Sequence, residues 1–374
     1  MPDASPLIVH VVRQYAPSRG GLEDVVANLC RQSLKRNHRV RVVTCDSVFA
    51  QPGLSLPSRE VIDGVEVVRI PWSGSTRYPI ALQVFRHLRD ADLIHVHAID
   101  FFYDALAWGR PFHRRPMIAT THGGFFHTRK FRWLKEAWFR TLTRASALGY
   151  QRLVCCSQSD LALFRKIADD RLTLIENGAD TEKFSGAGST LPTRRLVTIG
   201  RFSVNKRLDL LLDGMVELVS RQPGWHLDII GAPSDLSADD LRREIDSRGL
   251  GAHVALHVSI DNAGIREVMA DASFFASASE YEGFGLVAVE AMSAGLLPVL
   301  HPNDAYRHLA ARHASITLCD FSRPDAFAEA MIRGFDKLSS DAANTRQRVI
   351  DEAQAYSWDR VADKYFAIYE EVIA

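Results

Sequence analysis

The sequence predicts an α/β fold built as two Rossmann-like lobes, each a doubly wound parallel sheet. Three observations carry this. Short β-branched runs alternate with longer helical stretches along the whole chain. The runs are almost continuously apolar rather than alternating, as parallel strands covered on both faces are. The alternation stops once, at SGAGSTLPT (185–193), and then starts again. At 374 residues the chain is too long for one small core,.

In order, the first lobe reads as strands at LIVHVV (7–12), VRVVTC (40–45), VEVVRI (65–70), LIHVHA (93–98), MIATTH (117–122), RLVCCS (152–157) and LTLIEN (172–177). Helical periodicity covers 21–37 and 131–146,. The Gly, Ser, Thr and Pro of 185–193 read as a linker,. The second lobe reads as strands at 195–201, 226–232, 254–260, 272–278, 296–300 and 315–320. The last stretch, 357–373, is an amphipathic helix with Ser357 as N-cap candidate, expected to return to the first lobe,. The expected domains are therefore 1–185, 193–356 and the helix 357–374.

Composition narrows the function. No apolar run reaches the about 18 residues that cross a bilayer, and the short N-terminal run lacks a basic n-region, so it reads as a strand rather than a signal peptide. The five cysteines show no C-x-x-C pair and are expected to be buried thiols of a reducing compartment, the cytoplasm,. The net charge is zero, yet residues 1–185 hold 26 Lys and Arg against 18 Asp and Glu, leaving 19 against 27 in the remainder. A basic half suggests an anionic neighbour.

The sharpest motif is SASEYEGFGLVAVEAMSAGLLPVL (277–300). A strand ends, a turn with Gly283 and Gly285 follows, and a helix starts near Leu286 and stops at Gly295. The first amides and positive end of such a helix suit a diphosphate. Glu282 in the loop faces the ligand, and Glu290, about one turn inside the helix, can accept both hydroxyls of a ribose; two solvated glutamates are the alternative. IGRFSVNKRLD (199–209) brings Arg201 and Lys206 to the end of a strand, where two cations can neutralise a leaving diphosphate. Gly20 and Gly21 open a helix after the first strand and would allow close approach of a phosphate, although paired glycines are common in such turns. In TTHGGFFH (120–127), His122 ends a strand and faces the cleft, where its imidazole can donate to a sugar hydroxyl; His127 is its competitor.

These residues invite comparison. E-G-F-G-L-x-x-x-E-A-M, G-R-x-x-x-x-K, ENGAD (176–180) and the first-loop glycines together resemble the retaining GT-B glycosyltransferases of family four, across nearly the whole chain. HGGFFHT and LLPVLHPNDAYRH are similar to the α-mannosyltransferases that extend a cellobiosyl-diphosphate lipid in xanthan- and acetan-type polysaccharide synthesis. The resemblance implies that Glu282 holds the transferred sugar beside the amides of Phe284, Gly285 and Leu286, that Glu290 binds the ribose, and that Arg201 and Lys206 take the diphosphate. It implies contact of His122 with the sugar, a cleft lined by Ser157 and Gly231, and recognition of the base near Ile260. The implied donor is GDP-mannose and the implied acceptor a polyprenyl-diphosphate-linked oligosaccharide. One departure is His301-Pro302-Asn303-Asp304, where many members carry Gly-Gly-x-x-Glu.

No metal is expected. Asp90-Ala91-Asp92 imitates a cation-binding D-x-D but sits where a helix passes into a strand. His95 and His97 share one strand face, yet the sequence shows no third ligand. Residues 110–144 hold nine Arg and Lys with Phe131, Trp133, Trp138 and Phe139 among them, which fits peripheral contact with the inner face of the membrane, or aromatics packed inward at Trp138 and Leu142,. No nucleic-acid module is recognisable. The rivals are a sugar-nucleotide epimerase of the same architecture, a hexosyltransferase using a UDP-sugar, and a non-catalytic nucleotide-sugar sensor.

Overall fold

A computed structural model describes residues 5–374 apart from Arg19, Pro52 and 124–131. The chain divides into two units: one runs to Asn177 and includes Trp358–Ala374, the other is Gly178–Ser357.

The first unit is built on an eight-stranded sheet. Its strands are β1 (Leu7–Val11), β2 (Arg39–Cys45), β3 (Arg59–Ile62), β4 (Val65–Ile70), then β7 (Leu93–His97), β8 (Met117–Thr120), β9 (Arg152–Cys155) and β10 (Leu172–Leu174), with a separate hairpin of β5 (Ser73–Ser75) and β6 (Tyr78–Ile80). The order is β10-β9-β8-β7-β1-β2-β4-β3. All pairs are parallel except β3 with β4. The helices are α1 (Gly21–Lys35), α2 (Phe101–Trp108), α3 (Arg110–His113), α4 (Arg132–Trp138), α5 (Arg144–Ala147) and α6 (Gln158–Ala168). A wider π-type turn over Phe139–Thr143 joins α4 to α5 within the predicted 131–146 stretch. The seven predicted strands are present. The three missed, β3, β5 and β6, are short and largely exposed, so no apolar run marks them.

The second unit has a six-stranded parallel sheet, β13-β12-β11-β14-β15-β16. Its strands are β11 (Arg195–Ile199), β12 (His226–Gly231), β13 (Val254–Val258), β14 (Phe274–Ser277), β15 (Leu297–Leu300) and β16 (Thr317–Leu318). Its helices are α7 (Leu208–Arg221), α8 (Ala238–Ser247), α9 (Asn262–Met269), α10 (Leu286–Ser293), α11 (Asp304–Ala310), α12 (Pro324–Ser340) and α13 (Ala342–Ala353). The predicted linker is not one. Gly186 and Gly188 donate their amides to Ser293 and Ala294 (3.0 and 2.8 Å) and Ser189 donates to Ala272 (2.9 Å), so 185–193 is tied into the second unit and the change-over falls at Asn177.

The final helix, α14 (Trp358–Ile373), belongs to the first unit. Its apolar stripe (Val361, Tyr365, Phe366, Ile368, Tyr369) packs on Ile8, Leu93, Ile118 and Val154, one from each of four adjacent strands. Each such side chain contributes about 1.5–3 kcal/mol on burial.

All five cysteines are free and buried. The D-x-D is structural: Arg41 holds both oxygens of Asp90 (2.7 and 3.0 Å), and Asp92 accepts from the Leu7 amide (2.7 Å), fastening the start of β7 to β1.

Candidate functional site

Strands β11 and β14 are parallel neighbours, so the loops that follow them leave the same sheet edge side by side. This joins two motifs that lie far apart in sequence. Lys206, in a tight turn after β11, donates its Nζ to Glu282 Oε1 at 2.6 Å. Asn205 fixes the partner loop: it donates to the Tyr281 carbonyl (2.9 Å), accepts from the Tyr281 amide (3.1 Å), and its own carbonyl takes the Glu280 amide (3.0 Å). The Tyr306 hydroxyl donates to Ser277 Oγ (2.9 Å) and lies 3.4 Å from the same Glu282 oxygen. Burial pushes the Tyr306 phenol up, so it stays a neutral donor,. Glu282 Oε1 is thus held by Lys206 with the Tyr306 oxygen close by, while Oε2 has no partner among the described residues.

Two glycines make this geometry possible. A Cβ on Gly200 would stand 2.8 Å from Lys206 Cε, so the lysine stem lies across that glycine. Gly285 precedes α10 at φ +91°, and a Cβ there would meet the Tyr306 ring at 2.8 Å,. Leu286 begins α10, whose first amides lack intrahelical partners,. Glu290, on the second turn, lies 3.5 Å from Lys183 Nζ. Arg201 is exposed, with no bonded partner among the described residues. Gly283 is open on its Cβ side, and Phe284 packs edge-on against Tyr356. Ile260 packs against the core beside α9, whose N-cap is Asp261.

One expectation changes its reason. A Cβ on Gly231 would fall 1.9 Å from the Gly200 carbonyl oxygen. Backbone packing between β11 and β12 alone requires a glycine here.

In the first unit, His95 and His97 share a face of β7 as their spacing predicts, and strand register adds a third ring. His10 on β1 pairs with His95. Nitrogens of the three lie within 4.8 Å of one another, so the sequence reading that no third imidazole joins them is corrected. Five of their six ring nitrogens are already engaged. His95 bonds Tyr369 (2.8 Å) and Thr120 (2.7 Å), and His97 bonds His10 and His122 (both 2.9 Å). Burial drives His10 and His122 down to about 3 and His95 and His97 well below the usual imidazole range, so all four are neutral at pH 7,. Each neutral ring donates once, so the bonds run in one direction. His10 Nε2 has no partner. A bare acceptor is the cheaper orphan, so His10 donates to His97, His97 to His122 Nε2, and His122 Nδ1–H points to Cys156 Sγ, a weak acceptor at 3.9 Å,. His122 sits at φ 52°, a left-handed conformation uncommon outside glycine,.

Other predicted contacts serve locally. Ser157 accepts from the Asp160 amide (3.1 Å) at the start of α6. Gly20 precedes α1 and Gly21 begins it, but Glu23 and Asp24 already occupy that helix's positive end, a poor seat for a second anion,. His127, Phe131 and Gly124 lie outside the described residues. Of the basic segment, Phe139 is buried, while Trp133 and Trp138 are 74% and 38% exposed.

Comparison with known proteins assigns both units. Residues 19–183 match the Glycosyltransferase Family 4 model and residues 180–356 the Glycosyl transferases group 1 model. The chain is 44% identical, over 99% of its length and 94% of the relative's, to the GDP-mannose:cellobiosyl-diphosphopolyprenol alpha-mannosyltransferase of Komagataeibacter xylinus. The chain belongs to the family 4 glycosyltransferases. This glycosyltransferase is also 41% identical to the enzyme of the same name from Xanthomonas campestris, over 98% of its own length and 97% of the relative's. Among solved structures it is similar to a glycosyltransferase from Rickettsia africae (TM-score 0.71, 16% identity, 99% of each chain) and to Anabaena HepE in complex with UDP (TM-score 0.69, 16% identity, 98% and 100%). These likenesses establish the GT-B fold. Sequence reasoning missed three residues of the glycosyltransferase's charged site: Lys183, Asn205 and Tyr306. Tyr306 follows the departing His301-Pro302-Asn303-Asp304 stretch, where Asn303 caps α11 and donates to the Ser279 carbonyl (2.8 Å). That unusual loop therefore supports Glu282.

Proposed function

We propose that the enzyme transfers mannose, with retention of configuration, from GDP-mannose to a cellobiosyl-diphosphate-linked polyprenol. The observation that carries the site assignment is the Lys206–Glu282 bond with Glu282 Oε2 left open. Glu282 Oε2 takes hydroxyls of the transferred sugar. Lys206, Arg201 and the first amides of α10 neutralise the departing diphosphate. Glu290, steadied by Lys183, accepts the ribose hydroxyls. The bond from the anomeric carbon to the diphosphate breaks as one forms, on the same face, to an acceptor hydroxyl. The proton of that hydroxyl passes to a diphosphate oxygen. Positioning and charge stabilisation supply the acceleration, and no metal enters. His122 offers its Nδ1–H to a sugar hydroxyl in place of the weak sulfur contact. The arginines and exposed aromatics of the first unit hold the enzyme at the inner face of the membrane, where its acceptor lies.

The test is thermal unfolding with a panel of nucleotide sugars, followed by transfer to a lipid-linked cellobiose acceptor. GDP-mannose at 100 times its dissociation constant should stabilise by about 2.7 kcal/mol and yield a retained mannosyl linkage. Protection by a UDP-sugar instead, or conversion of the nucleotide sugar without an acceptor, refutes the assignment.

A further inference from the structure

A cavity of about 590 Å³ opens on the first unit. One wall is α2 with the start of α3; the other is the segment from β6 through the 3-10 turn Leu82–His87 to Arg89. The walls run in register. At one end the Tyr78 ring meets Phe101 edge-on, with centroids 5.8 Å apart, and at the other Phe85 stacks on His113 at 6.4 Å. Between them, a Cβ on Gly109 would fall 2.3 Å from the Phe85 ring, so Phe85 lies directly on the helix backbone. The result is a groove along α2, about 12 Å long over that helix's eight residues,.

The groove has almost nothing to offer a polar ligand. Asp104 lines it, but Tyr78 and Ser146 hold its two oxygens at 2.8 and 2.6 Å. The two nitrogens of His113 meet the Leu106 carbonyl (3.0 Å) and the Arg115 amide (3.1 Å). A peptide would leave its own amides unpaired there, and a hydrocarbon would not. Leu82, Trp108 and Phe112 line the same groove and are nonetheless 66%, 54% and 88% exposed, a large apolar patch for a protein surface,.

The two ends differ. Phe101 directly follows Asp100, the N-cap of α2, at the carboxyl end of β7, three residues beyond His97. Ligands of open parallel sheets bind outside that edge. The far end carries Arg89, exposed, its carbonyl accepting from Arg115 and its guanidinium without a bonded partner among the described residues, and Phe112 on α3. On the other side of α3, Arg110 and Arg114 line an adjoining open hollow. Exposed aromatics among arginines suit an anionic lipid interface.

We propose that this groove holds the isoprenoid chain of the acceptor, leading it from the carboxyl edge of the sheet, where the sugar end is presented, to the arginine-rimmed mouth where it enters the bilayer. The proposal rests on the acceptor class assigned above and adds a specificity site for the lipid.

Two experiments on the full-length enzyme in detergent separate the two readings. In the first, cellobiosyl diphosphate is supplied on an undecaprenyl chain and on a methyl group, which is too short to enter the groove. Burying even two methylenes is worth about tenfold in affinity, so the wild type should show a KM at least about tenfold lower for the long chain. Ala105→Phe, which fills the groove, should abolish that preference and leave kcat on the methyl acceptor and thermal protection by the donor unchanged. Leu82→Glu, an exposed position on the opposite wall, should do the same and covers a folding defect of the first variant. Equal use of both acceptors by the wild type, or a wild-type preference in the folded variants, overturns the proposal. In the second, undecaprenyl diphosphate carrying a benzophenone is photo-crosslinked. Label within 78–113, displaced by unlabelled undecaprenyl diphosphate and not by phosphatidylglycerol, supports the groove. Label elsewhere, or equal displacement by phosphatidylglycerol, overturns it. Label in the groove without any mannosyl transfer would instead sink the acceptor reading and leave the isoprenoid site standing.

Discussion

Replacing Gly200 by alanine tests the charged site without touching any charge. The new methyl would sit 2.8 Å from Lys206 Cε and 3.4 Å from its Nζ. The lysine stem must retreat by about 0.6 Å to reach ordinary contact, which begins at 3.4 Å. Gly200 does not occupy the left-handed region, so alanine meets no backbone strain there. The clash is with a flexible side chain, so the cost to the fold stays within about 1 kcal/mol. The cost to the 2.6 Å bond with Glu282 is larger, because Nζ must move with its stem. Misplacement of about 1 Å in a catalytic array costs up to about 100-fold, and a shift of this size should cost about 10- to 100-fold in kcat/KM, or roughly 1.4–2.7 kcal/mol of barrier. The assay is mannosyl transfer at saturating acceptor, with unfolding followed in parallel. The double variant is decisive. Once Lys206→Ala has removed the side chain, Gly200→Ala should cost nothing further, a non-additivity expected only of groups acting through one another. Wild-type kcat/KM in Gly200→Ala, or a full additional loss on the Lys206→Ala background, refutes the account of how the lysine is aimed.

Three further outcomes follow from the same geometry. Glu290→Gln should weaken GDP binding about tenfold by calorimetry, leaving Lys183 without its carboxylate, while stability changes by less than about 1 kcal/mol because the pair is part-exposed,. His10, His95, His97 and the half-buried His122 are neutral in the folded state and take up protons only on unfolding, so their stability is complete above pH 6.5 and is lost as pH falls towards about 3,. Burial of Asp100 raises it to about 7 with opposite sign, so about three protons net are taken up near pH 5, a slope of about 4 kcal/mol per pH unit from this cluster,. Asp100→Asn keeps the cap and should stabilise the enzyme at pH 8 by up to about 4 kcal/mol, read by chemical denaturation,. Finally, a chelator should leave turnover unchanged, and Asp90→Ala should lower stability by about 1 kcal/mol with no effect on KM for the donor, since Asp90 serves Arg41,.

The two-unit α/β fold was legible because parallel strands buried on both faces leave uninterrupted apolar runs, and each predicted run became a strand. The segment 185–193 misled because its composition is that of a linker, whereas its backbone bonds to Ser293, Ala294 and Ala272 cannot be read from composition. Glu282 and Lys206 were legible as two motifs that each follow a strand, and the pairing of β11 with β14 brings them together. Lys183, Asn205 and Tyr306 were not. Their parts depend on how loops fold over one another, and an asparagine bonding the backbone of the loop after a neighbouring strand has no periodic signature. The third histidine was hidden for a related reason. That His10 faces His95 is a fact of register between β1 and β7, and register is written in pairing rather than in spacing along one chain,.

The glycines show where motif reading most needs correction. Gly20, Gly21, Gly231, Gly283 and Gly285 all suggest close approach of a ligand, but only contacts distinguish them. Gly231 is fixed by the Gly200 carbonyl, Gly285 by its positive φ and the Tyr306 ring, and Gly200, the first residue of the G-R-x-x-x-x-K motif, by the stem of Lys206. The absent side chains at Gly200 and Gly285 make room for Lys206, which donates to one oxygen of Glu282, and for Tyr306, whose hydroxyl lies 3.4 Å from the same oxygen. The His10–His97–His122 row works in the opposite electrical sense. Neutral rings present a hydrogen-bond donor with no fixed charge, whereas the candidate site of the second unit offers Lys206, Arg201 and the first amides of α10. On the proposed reaction this division is what the chemistry requires: charge where the diphosphate departs, and neutral donors where hydroxyls must be oriented without drawing the leaving group away from its cations.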